Sequence, residues 1–466
     1  MKFGCTELNI NLQMLAGMCD GELFCSGDPL TPVCGVSIDS RVDCTGECFF
    51  AIRGENFDGH DFIGKAKENG AVCAVVSQKP DCDIPYILVS DTVRALGELA
   101  RAYKSRFKVI TVAVTGSVGK TTTKQYIHSI LSEKYKTHKT EGNFNSEIGL
   151  PLTVLSLEKD DRILVLEMGM SSFGEISRLS DIAQPDIAVI TCIGNSHIEN
   201  LGSRENICSA KLEIASGMRD GAIIILDGDE PMLADVLEER KLCRIHFGIK
   251  NRKSDYVAEN IRHTDGGMAF DIKSRIGGDI SSIEIRQIGE HNVKNALAAV
   301  TVATMLGISE DEIRAGLLAF EPVKLRQNII DAGRFTIIED CYNAGPESMS
   351  AALCVLCDVA KGRKLAVLGE MRELGEYSAF LHRAVGKKAA ELGVDGLVTV
   401  GTLAKEIAAG AEEGGMPHEN ITEIIDYGDA ESAANTLKQL IREGDTVLIK
   451  ASRALSLERI SKLLQE

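Results

Sequence analysis

The 466-residue sequence contains no tryptophan and few aromatic residues (5%), and it has no excess of positive charge. The formal net charge is −17, which argues against a nucleic-acid partner because nucleic-acid binders usually present a basic surface. No stretch approaches the roughly 18 uninterrupted apolar residues of a membrane span, so we expect no insertion into a membrane. Anionic small molecules remain possible ligands, since a local site can bind phosphate on an acidic protein.

The chain also lacks a complete zinc-ligand pattern, although it contains 14 cysteines. Cys44 lies close to Cys48 and Cys354 close to Cys357, but no matching second pair follows either of them. The opening residues, MKFGCTELNI, mix polar and apolar side chains and do not resemble a signal peptide. Reduced thiols are the simplest interpretation, so we expect a cytoplasmic protein. We also expect a monomer.

Apolar runs that alternate with helical segments predict an α/β protein, and the length suggests roughly three domains. Residues 1–106 form the first predicted domain, with strands in ECFFAI, GAVCAVVS and YILVS. Residues 107–322 form the second, with buried parallel strands and, between 250 and 290, a β-rich flap of short alternating strands. Residues 323–466 form the third, an open and mostly parallel sheet.

The most informative segment is VITVAVTGSVGKTTT, residues 109–123, in which an apolar strand leads into a glycine-rich turn and then a helix-like stretch. Such a turn directs backbone N–H groups and a positive helix end at an anion. Lys120 would reach the β- and γ-phosphates of a nucleotide, and the Thr121 hydroxyl would bind Mg²⁺. The predicted cradle comprises Gly116, Ser117, Val118, Gly119, Lys120, Thr121 and Thr122. The usual GxxxxGK[ST] motif would need glycine in place of Val114, and a tight turn before an ordinary helix is the alternative.

Three polar residues beyond this turn are candidates for a metal site. Glu167 ends the strand-like run RILVLE, where a carboxylate beside a phosphate loop suits Mg²⁺. Its alternative is a helix cap or a solvated side chain. His197 follows another strand, but a lone histidine is more often structural. Lys211 lies on a helix-like stretch, and the pattern alone does not distinguish it from a surface lysine.

Two further turns suit either function or ordinary turn structure. Asp340 ends the strand FTIIED and is followed by Tyr342 and Asn343 in a turn-rich segment. Asp39-Ser40-Arg41 lies in the first domain, where Arg41 and the serine hydroxyls suit a diphosphate or a uracil edge. For this second turn, the pattern alone favours a surface arginine.

Eight segments occur in the order found in the Mur ligases of peptidoglycan synthesis, which the chain resembles along nearly its whole length. They are TGSVGKTTTK, EGNFNSEIGLP, LEMGMSSFGEI, GNSHIENLGS, SAKLEI, GEHNVKNALAA, EDCYNAGPESM and LGEMRELGEYS. The resemblance implies an N-terminal UDP-sugar-binding domain, a central P-loop ATP-binding domain and a C-terminal Rossmann-like domain. It also implies a ligase that uses ATP and Mg²⁺, forms an acyl phosphate and transfers the acyl group to an amine.

The resemblance further implies the roles of individual residues. Lys120 would steady the transferred phosphoryl group. Thr121 and Glu167 match ligands of one Mg²⁺, His197 matches a ligand of a second, and Lys211 matches a lysine that several members carry as a carbamate. The matches to ATP contacts are His291, Asn295, Arg326 and Asp340.

The substrates implied by the resemblance are UDP-N-acetylmuramoyl-tripeptide and D-alanyl-D-alanine. The residues that match the UDP-sugar and peptide side are Ser37, Ser40, Arg41, Asn143, Asn145 and Ser146. Those on the dipeptide side are Tyr342 and Asn343, with the turn Gly369-Glu370-Met371. Whether the third residue of the tripeptide is diaminopimelate or lysine stays open.

Three departures from the family pattern fall in the third domain: Gly345 stands for asparagine, Glu370 for aspartate and Ala451 for glycine. They concern the dipeptide side more than the ATP chemistry. Another Mur-type ligase, a folylpolyglutamate synthase-like enzyme and a P-loop regulator without ligase activity are the alternatives. The UDP-binding first domain argues against the folate enzyme, and the metal-site candidates in family order argue against the regulator.

Overall fold

The computed structural model describes Leu8, residues 10–425, Gly428 and residues 430–466. These residues form three main sheets with helices packed against them, which confirms the predicted α/β class with three sheet-bearing units. The bounds at 106/107 and 322/323 stay predictions. Among the helices in this part of the chain, none combines the length and apolar character needed to cross a membrane.

The N-terminal sheet has the order β2-β7-β6-β5-β4, in which only the β2–β7 pair is antiparallel. The strands of this region are β1 (Ile10–Asn11), β2 (Glu22–Phe24), β3 (Pro32–Val33), β4 (Gly35–Ser37), β5 (Glu47–Phe50), β6 (Cys73–Val76) and β7 (Tyr86–Leu88). Its helices are α1 (Leu12–Met18), α2 (Ile63–Glu68) and α3 (Thr92–Lys104). Because β4, β5 and β6 are parallel, the loops after Ser37 and Phe50 leave the sheet at the same edge.

The central sheet has nine strands in the order β16-β15-β14-β13-β12-β11-β8-β10-β9. They are β8 (Ile110–Thr115), β9 (Thr137–Lys139), β10 (Ile163–Glu167), β11 (Ile187–Ile190), β12 (Ile223–Asp227), β13 (Cys243–Gly248), β14 (Tyr256–Thr264), β15 (Gly267–Ser274) and β16 (Ile280–Ile285). The helices are α4 (Lys120–Ser132), α5 (Gly149–Leu155), α6 (Glu175–Ala183), α7 (Ile198–Leu201), α8 (Arg204–Leu212), α9 (Glu290–Met305) and α10 (Glu310–Leu318). Strand β8 lies between β10 and β11, so their carboxyl ends bring the phosphate loop, Glu167 and the loop before His197 together.

The predicted flap is continuous with this sheet. Strand β14 pairs in parallel with β13 through only two residue pairs, and β15 and β16 then add antiparallel strands. Strand β16 forms one edge of the sheet, and helix α10 packs beside it. Arg314 of this helix donates hydrogen bonds to the carbonyl oxygens of Ser281 and Ser282 on the edge strand.

The C-terminal sheet has the order β17-β18-β22-β19-β20-β21, and only β17 is antiparallel to its neighbour. Its strands are β17 (Asn328–Asp331), β18 (Thr336–Glu339), β19 (Lys364–Gly369), β20 (Gly396–Val400), β21 (Ile421–Ile424) and β22 (Thr446–Lys450). The helices are α11 (Pro346–Val359), α12 (Ser378–Glu391), α13 (Lys405–Glu413), α14 (Ala430–Leu440) and α15 (Glu458–Gln465). Since β18 and β22 are parallel neighbours, Asp340 and Lys450 emerge side by side at one edge.

Candidate active site

The glycine-rich turn after β8 has the conformation that the sequence predicts for a phosphate loop. Gly116 and Gly119 have φ angles of 146° and 86°, a region that side chains with a Cβ rarely adopt. A Cβ on Gly119 would also collide with the amide of Asn295. Helix α4 begins directly at Lys120, so its N-terminal N–H groups face the concave side of the turn.

The Lys120 ammonium lies within this turn. Its Nζ donates to the carbonyl oxygens of Gly116 at 2.7 Å and Ser117 at 3.3 Å. Burial lowers the pKa of Lys120, and nearby Glu167 opposes that shift. The Lys120 side chain is therefore held against the backbone of the glycine-rich turn.

Glu167 and Thr121 meet at the end of β10. The Thr121 hydroxyl donates to Glu167 Oε1 at 3.2 Å, and the Asn145 amide donates to the same oxygen at 2.9 Å. Glu167 is only 3% exposed, and its Oε2 forms an ion pair with Nζ of Lys124 at 3.3 Å. Burial would raise the pKa of Glu167, but Lys124, Lys120 and Arg326 together lower it below its usual value.

These donors fit a magnesium ion. Mg²⁺ prefers oxygen ligands, and the site offers a hydroxyl at Thr121 and an ionised carboxylate at Glu167. The chemistry of this donor set, a buried carboxylate that stays ionised beside a hydroxyl, is the observation that favours a metal ion there, since Oε2 itself is already paired with the Lys124 ammonium at 3.3 Å.

His197 and Lys211, the remaining metal candidates, differ in environment. His197 has a left-handed φ of 64° before α7, and its Nδ1 lies 2.5 Å from a carboxylate oxygen of Glu373 in the C-terminal domain. That contact lowers the pKa of Glu373. Lys211 is only 1% exposed, so it is not a surface lysine. Burial, helped by the charge of Lys120, places its pKa well below the usual range.

The C-terminal domain supplies the opposite wall of the site. Arg326 donates from Nη2 to the Thr121 hydroxyl at 3.1 Å, and its guanidinium carbon lies 4.3 Å from the centre of the Tyr342 ring. Asp340 forms a 2.7 Å ion pair with Lys450, whose side chain is 2% exposed. Lys450 also donates to the carbonyl oxygen of Asn343 at 2.9 Å.

One pocket is lined by both the central and the C-terminal domain, and it gathers most of the predicted ATP contacts. From the central domain it is lined by the phosphate-loop residues from Ser117 to Thr122 and by His291 and Asn295; from the C-terminal domain it is lined by Arg326, Asp340, Asn343 and Lys450. Burial lowers the pKa of His291 to about 4, so its imidazole is neutral near pH 7. Apolar side chains, including Phe320, Ile338 and Val355, complete the lining and suit the flat ring of a nucleobase.

The residues predicted for the UDP-sugar lie elsewhere, at the carboxyl edge of the N-terminal sheet. Ser37 and Ser40 are buried, and Ser37 accepts a hydrogen bond from the Asp39 N–H at 3.3 Å. Arg41 is largely exposed and forms two 2.8 Å hydrogen bonds with the Asp39 carboxylate. The Arg41 hydrogen bond lowers the pKa of Asp39 to about 2.

The loop before α5 carries the predicted sugar and peptide contacts. Asn145 is turned inward to Glu167, whereas Asn143 and Ser146 are exposed. Ser146 accepts a hydrogen bond from the Gly149 N–H at 3.3 Å. The loop before α5 therefore contacts the buried Glu167 through Asn145 and reaches the protein surface at Asn143 and Ser146.

The three departures from the family pattern occupy different surroundings. Gly345 precedes α11 and lines the pocket with an extended φ of −151°, which any residue can adopt. Glu370 is buried and accepts a hydrogen bond from the Thr402 N–H at 3.0 Å. Ala451 lies directly against Gly369: a Cβ added to Gly369 would lie 2.6 Å from the Ala451 methyl group. Glu370 and Ala451 therefore support the fold of the C-terminal domain.

The sequence interpretation missed three residues that the structure brings to the site: Lys124, Lys450 and Glu347. Lys124 follows Lys120 by one helical turn, a spacing that could have indicated a second cation on the same face. Lys450 ends a predicted strand, as Asp340 does, so a shared sheet edge could have indicated their pairing. Nothing local indicates Glu347, which contacts Asn195 of the central domain.

Family models match three consecutive parts of the chain. The model described as Mur ligase family, catalytic domain matches residues 32–113, the Mur ligase middle domain matches 114–303, and the Mur ligase glutamate ligase domain matches 325–453. Together they cover most of the chain.

Full-length relatives agree with this result. The UDP-N-acetylmuramoyl-tripeptide–D-alanyl-D-alanine ligase of Bacillus subtilis (strain 168) is 38% identical over 458 residues, covering 97% of both chains. A crystal structure of MurF from Acinetobacter baumannii has a TM-score of 0.91 and 32% identity over 98% of both chains. MurF ligase from Thermotoga maritima in complex with ADP has a TM-score of 0.83 and 32% identity, covering 94% of this chain and 98% of that one.

Proposed function

Because this chain belongs to the Mur ligase family, we propose that it joins D-alanyl-D-alanine to UDP-N-acetylmuramoyl-tripeptide in an ATP-dependent reaction. The geometric observation that carries the proposal is the chain of hydrogen bonds from Glu167 through Thr121 to Arg326, which links the two walls of one pocket. The product would be the UDP-linked pentapeptide used in peptidoglycan synthesis. The free thiols of the described residues fit a reducing compartment such as the cytoplasm.

The proposed reaction has two steps. An oxygen of the tripeptide carboxylate attacks the γ-phosphorus of ATP, and ADP leaves with the electrons of the broken P–O bond. The amine of the dipeptide then attacks the carbonyl carbon of the acyl phosphate, and inorganic phosphate leaves as the amide forms. Lys120 would stabilise the charge that spreads over the transferred phosphoryl group. The amine proton has no dedicated side-chain acceptor in this proposal, and phosphate oxygens or solvent would take it.

Magnesium would be held by Thr121 and Glu167, with His197 and Lys211 at a second position, and would supply charge neutralisation. Lys211 fits a carbamate role because only a neutral amine adds to CO₂, and burial favours the neutral form of this amine. The Lys124 ammonium keeps Glu167 ionised and aimed at the loop. Arg326, Asp340 and Lys450 would close the site from the C-terminal side and exclude water from the acyl phosphate.

The two ends of the substrate pair would bind on different domains. Ser37, Ser40 and Arg41 would hold the UDP group at the N-terminal sheet edge, and Asn143, Asn145 and Ser146 would lie near the sugar and peptide. Tyr342 and Asn343 remain our candidates for the dipeptide side, although Asn343 also lines the nucleotide pocket.

Phosphate release tests this function. We expect release of ADP and phosphate that depends on both UDP-N-acetylmuramoyl-tripeptide and D-alanyl-D-alanine, measured with the diaminopimelate and the lysine forms of the tripeptide. Hydrolysis of ATP that is indifferent to both substrates would indicate a P-loop regulator instead and would overturn the proposal.

A further inference from the structure

Residues 191–197, which we call the bracing loop, lie behind the phosphate loop and contact it in several places. The Ser117 N–H donates to the Cys192 carbonyl oxygen at 3.0 Å, and the Gly194 N–H donates back to the Ser117 hydroxyl at 2.8 Å. The Thr191 hydroxyl donates to the Val118 carbonyl oxygen at 2.5 Å. These hydrogen bonds couple the position of the bracing loop to that of the phosphate loop.

Two carboxylates of the C-terminal domain contact the same loop: Glu373 lies 2.5 Å from His197 Nδ1, and Glu347 accepts hydrogen bonds from Asn195. Glu347 Oε1 accepts both the backbone N–H of Asn195, at 2.9 Å, and the side-chain amide of Asn195, at 2.6 Å. The fit is close, because a Cβ on Gly194 would lie 2.6 Å from the Glu347 carboxyl carbon. Glu347 Oε2 is buried and has no hydrogen-bond partner among the described residues, so both hydrogen bonds of this carboxylate go to Asn195.

Glu347 lies on the helix that forms the pocket wall. Helix α11 begins at Pro346, and the pocket is lined from this helix by Ser348, Ala351, Ala352 and Val355. A carboxylate in the first turn also interacts favourably with the positive end of a helix. Anchoring this turn to the bracing loop therefore fixes one pocket wall relative to the phosphate loop.

We propose that Glu347 is a positioning residue for the ATP site: by bonding Asn195 it holds helix α11 against the bracing loop and keeps the phosphate loop in register with the C-terminal wall. This role rests on the proposed function for its effect on ligation, but its effect on nucleotide binding and on domain placement is independent of the acceptor substrates. Glu347 touches no reacting atom in this arrangement.

The test compares Glu347→Ala with Glu347→Gln. Alanine removes an acceptor from two N–H groups, and a hydrogen bond to a charged group corresponds to about a 10- to 100-fold effect. We therefore expect kcat/KM for ATP to fall by about 10- to 100-fold, with KM for the UDP-tripeptide nearly unchanged. Glutamine keeps the oxygen that accepts both bonds, so this variant should stay within about threefold of the wild type.

Domain placement gives a second readout. Small-angle X-ray scattering of Glu347→Ala should give a larger radius of gyration than that of the wild type, and Glu347→Gln should not. Glu443→Ala is the matched control, because Glu443 is exposed and precedes β22, at the opposite end of that strand from Lys450. If Glu347→Ala matches this control in both kcat/KM for ATP and radius of gyration, the positioning role is wrong.

Asn195→Asp tests the same contact from the other side while leaving Glu347 in place. Two facing carboxylates repel, so we expect the losses of Glu347→Ala, and the double variant Asn195→Asp with Glu347→Gln should recover at least part of them. An Asn195→Asp variant equal to the wild type would overturn the proposal even if Glu347→Ala failed to fold. Failure of the wild type to ligate would instead count against the proposed function, since small-angle scattering still reports on Glu347.

Discussion

Arg326 of the C-terminal domain donates a hydrogen bond to Thr121 of the phosphate loop across a distance of 3.1 Å. The donor is held by stacking on Tyr342, and the acceptor is itself bonded to Glu167. A residue proposed to bind magnesium is therefore in direct contact with the domain proposed to close over the nucleotide. This one hydrogen bond therefore involves both the proposed ATP site and the contact between the domains.

Replacing Arg326 should weaken both the use of ATP and the contact between the two domains. We expect Arg326→Ala to lower kcat/KM for ATP by about 10- to 100-fold, the range for a lost hydrogen bond to a charged group. Arg326→Lys should recover only part of this, because lysine lacks the planar group that stacks on Tyr342. Steady-state ADP release measures the effect, with exposed Arg334 changed to alanine as the control. Full activity of Arg326→Ala would contradict the assignment.

Lys120→Ala should abolish ligation while leaving UDP-tripeptide binding nearly intact. The side chain belongs to the phosphate loop, whereas the predicted UDP contacts lie on the N-terminal sheet. We expect a loss in kcat of at least about 100-fold, as for other groups that stabilise developing charge. Calorimetric titration of the UDP-tripeptide provides the comparison, and loss of that binding would contradict the assignment of the N-terminal domain.

If Lys211 acts as a carbamate, Lys211→Ala should lose activity and regain part of it in the presence of short carboxylates such as formate or acetate. The small anion would supply the oxygen pair that the carbamate provides, within the space the lysine side chain vacates. Chloride at the same ionic strength is the control for a general salt effect. An unrescued variant with full activity would show that Lys211 has only a structural role.

Lys450→Met should destabilise the C-terminal domain. It leaves the Asp340 carboxylate, which is only 19% exposed, without its cation, and breaking a buried pair in this way costs about 3 kcal/mol. The double variant Asp340→Asn with Lys450→Met should recover much of the loss, because no unpaired charge remains. Chemical denaturation measures both, and equal stability of the single and double variants would show that the pair is not coupled.

His291 should make folding stability depend on pH below neutrality. Its pKa in the folded protein is about 4, against an ordinary value of 6.5. As the pH falls from about 6.5 to 4, the unfolded chain binds a proton that the folded one does not, so stability falls, by at most about 3 kcal/mol. His291→Gln should flatten this slope in denaturation curves at pH 7 and 4.5. The pKa of His128 is also lowered to about 4, so a pH dependence from His128 should remain in the His291→Gln variant.

The phosphate loop could be predicted from the sequence because its determinants are local: an apolar strand, glycines at the two positive φ positions and a helix that starts at Lys120. Contacts between the domains could not be predicted from the sequence pattern. Asn195 of the central domain and Glu347 of the C-terminal domain are 152 residues apart, so the sequence pattern carries no record of how their elements dock.

The predicted flap shows the same limit within a domain. The alternating strands were correctly predicted in GGMAFDIKS and SSIEIRQIG, since alternation is local. These strands are connected to the parallel part of the sheet through β14, which pairs with β13 at only two positions, Phe247 with Tyr256 and Gly248 with Val257. Such a short parallel junction leaves no periodicity in the sequence, because it is set by the packing of the two strands.

The Arg314 contacts on strand β16 bear on how this protein behaves in concentrated solution. An edge strand offers unpaired carbonyl and amide groups to any extended segment of another molecule. The Arg314 guanidinium occupies the carbonyl oxygens of Ser281 and Ser282, and the left-handed φ of 55° at Ser282 interrupts the regular strand geometry at the same place. These two features leave fewer free backbone groups where the nine-stranded sheet ends, which makes pairing with a strand of another molecule less favourable there.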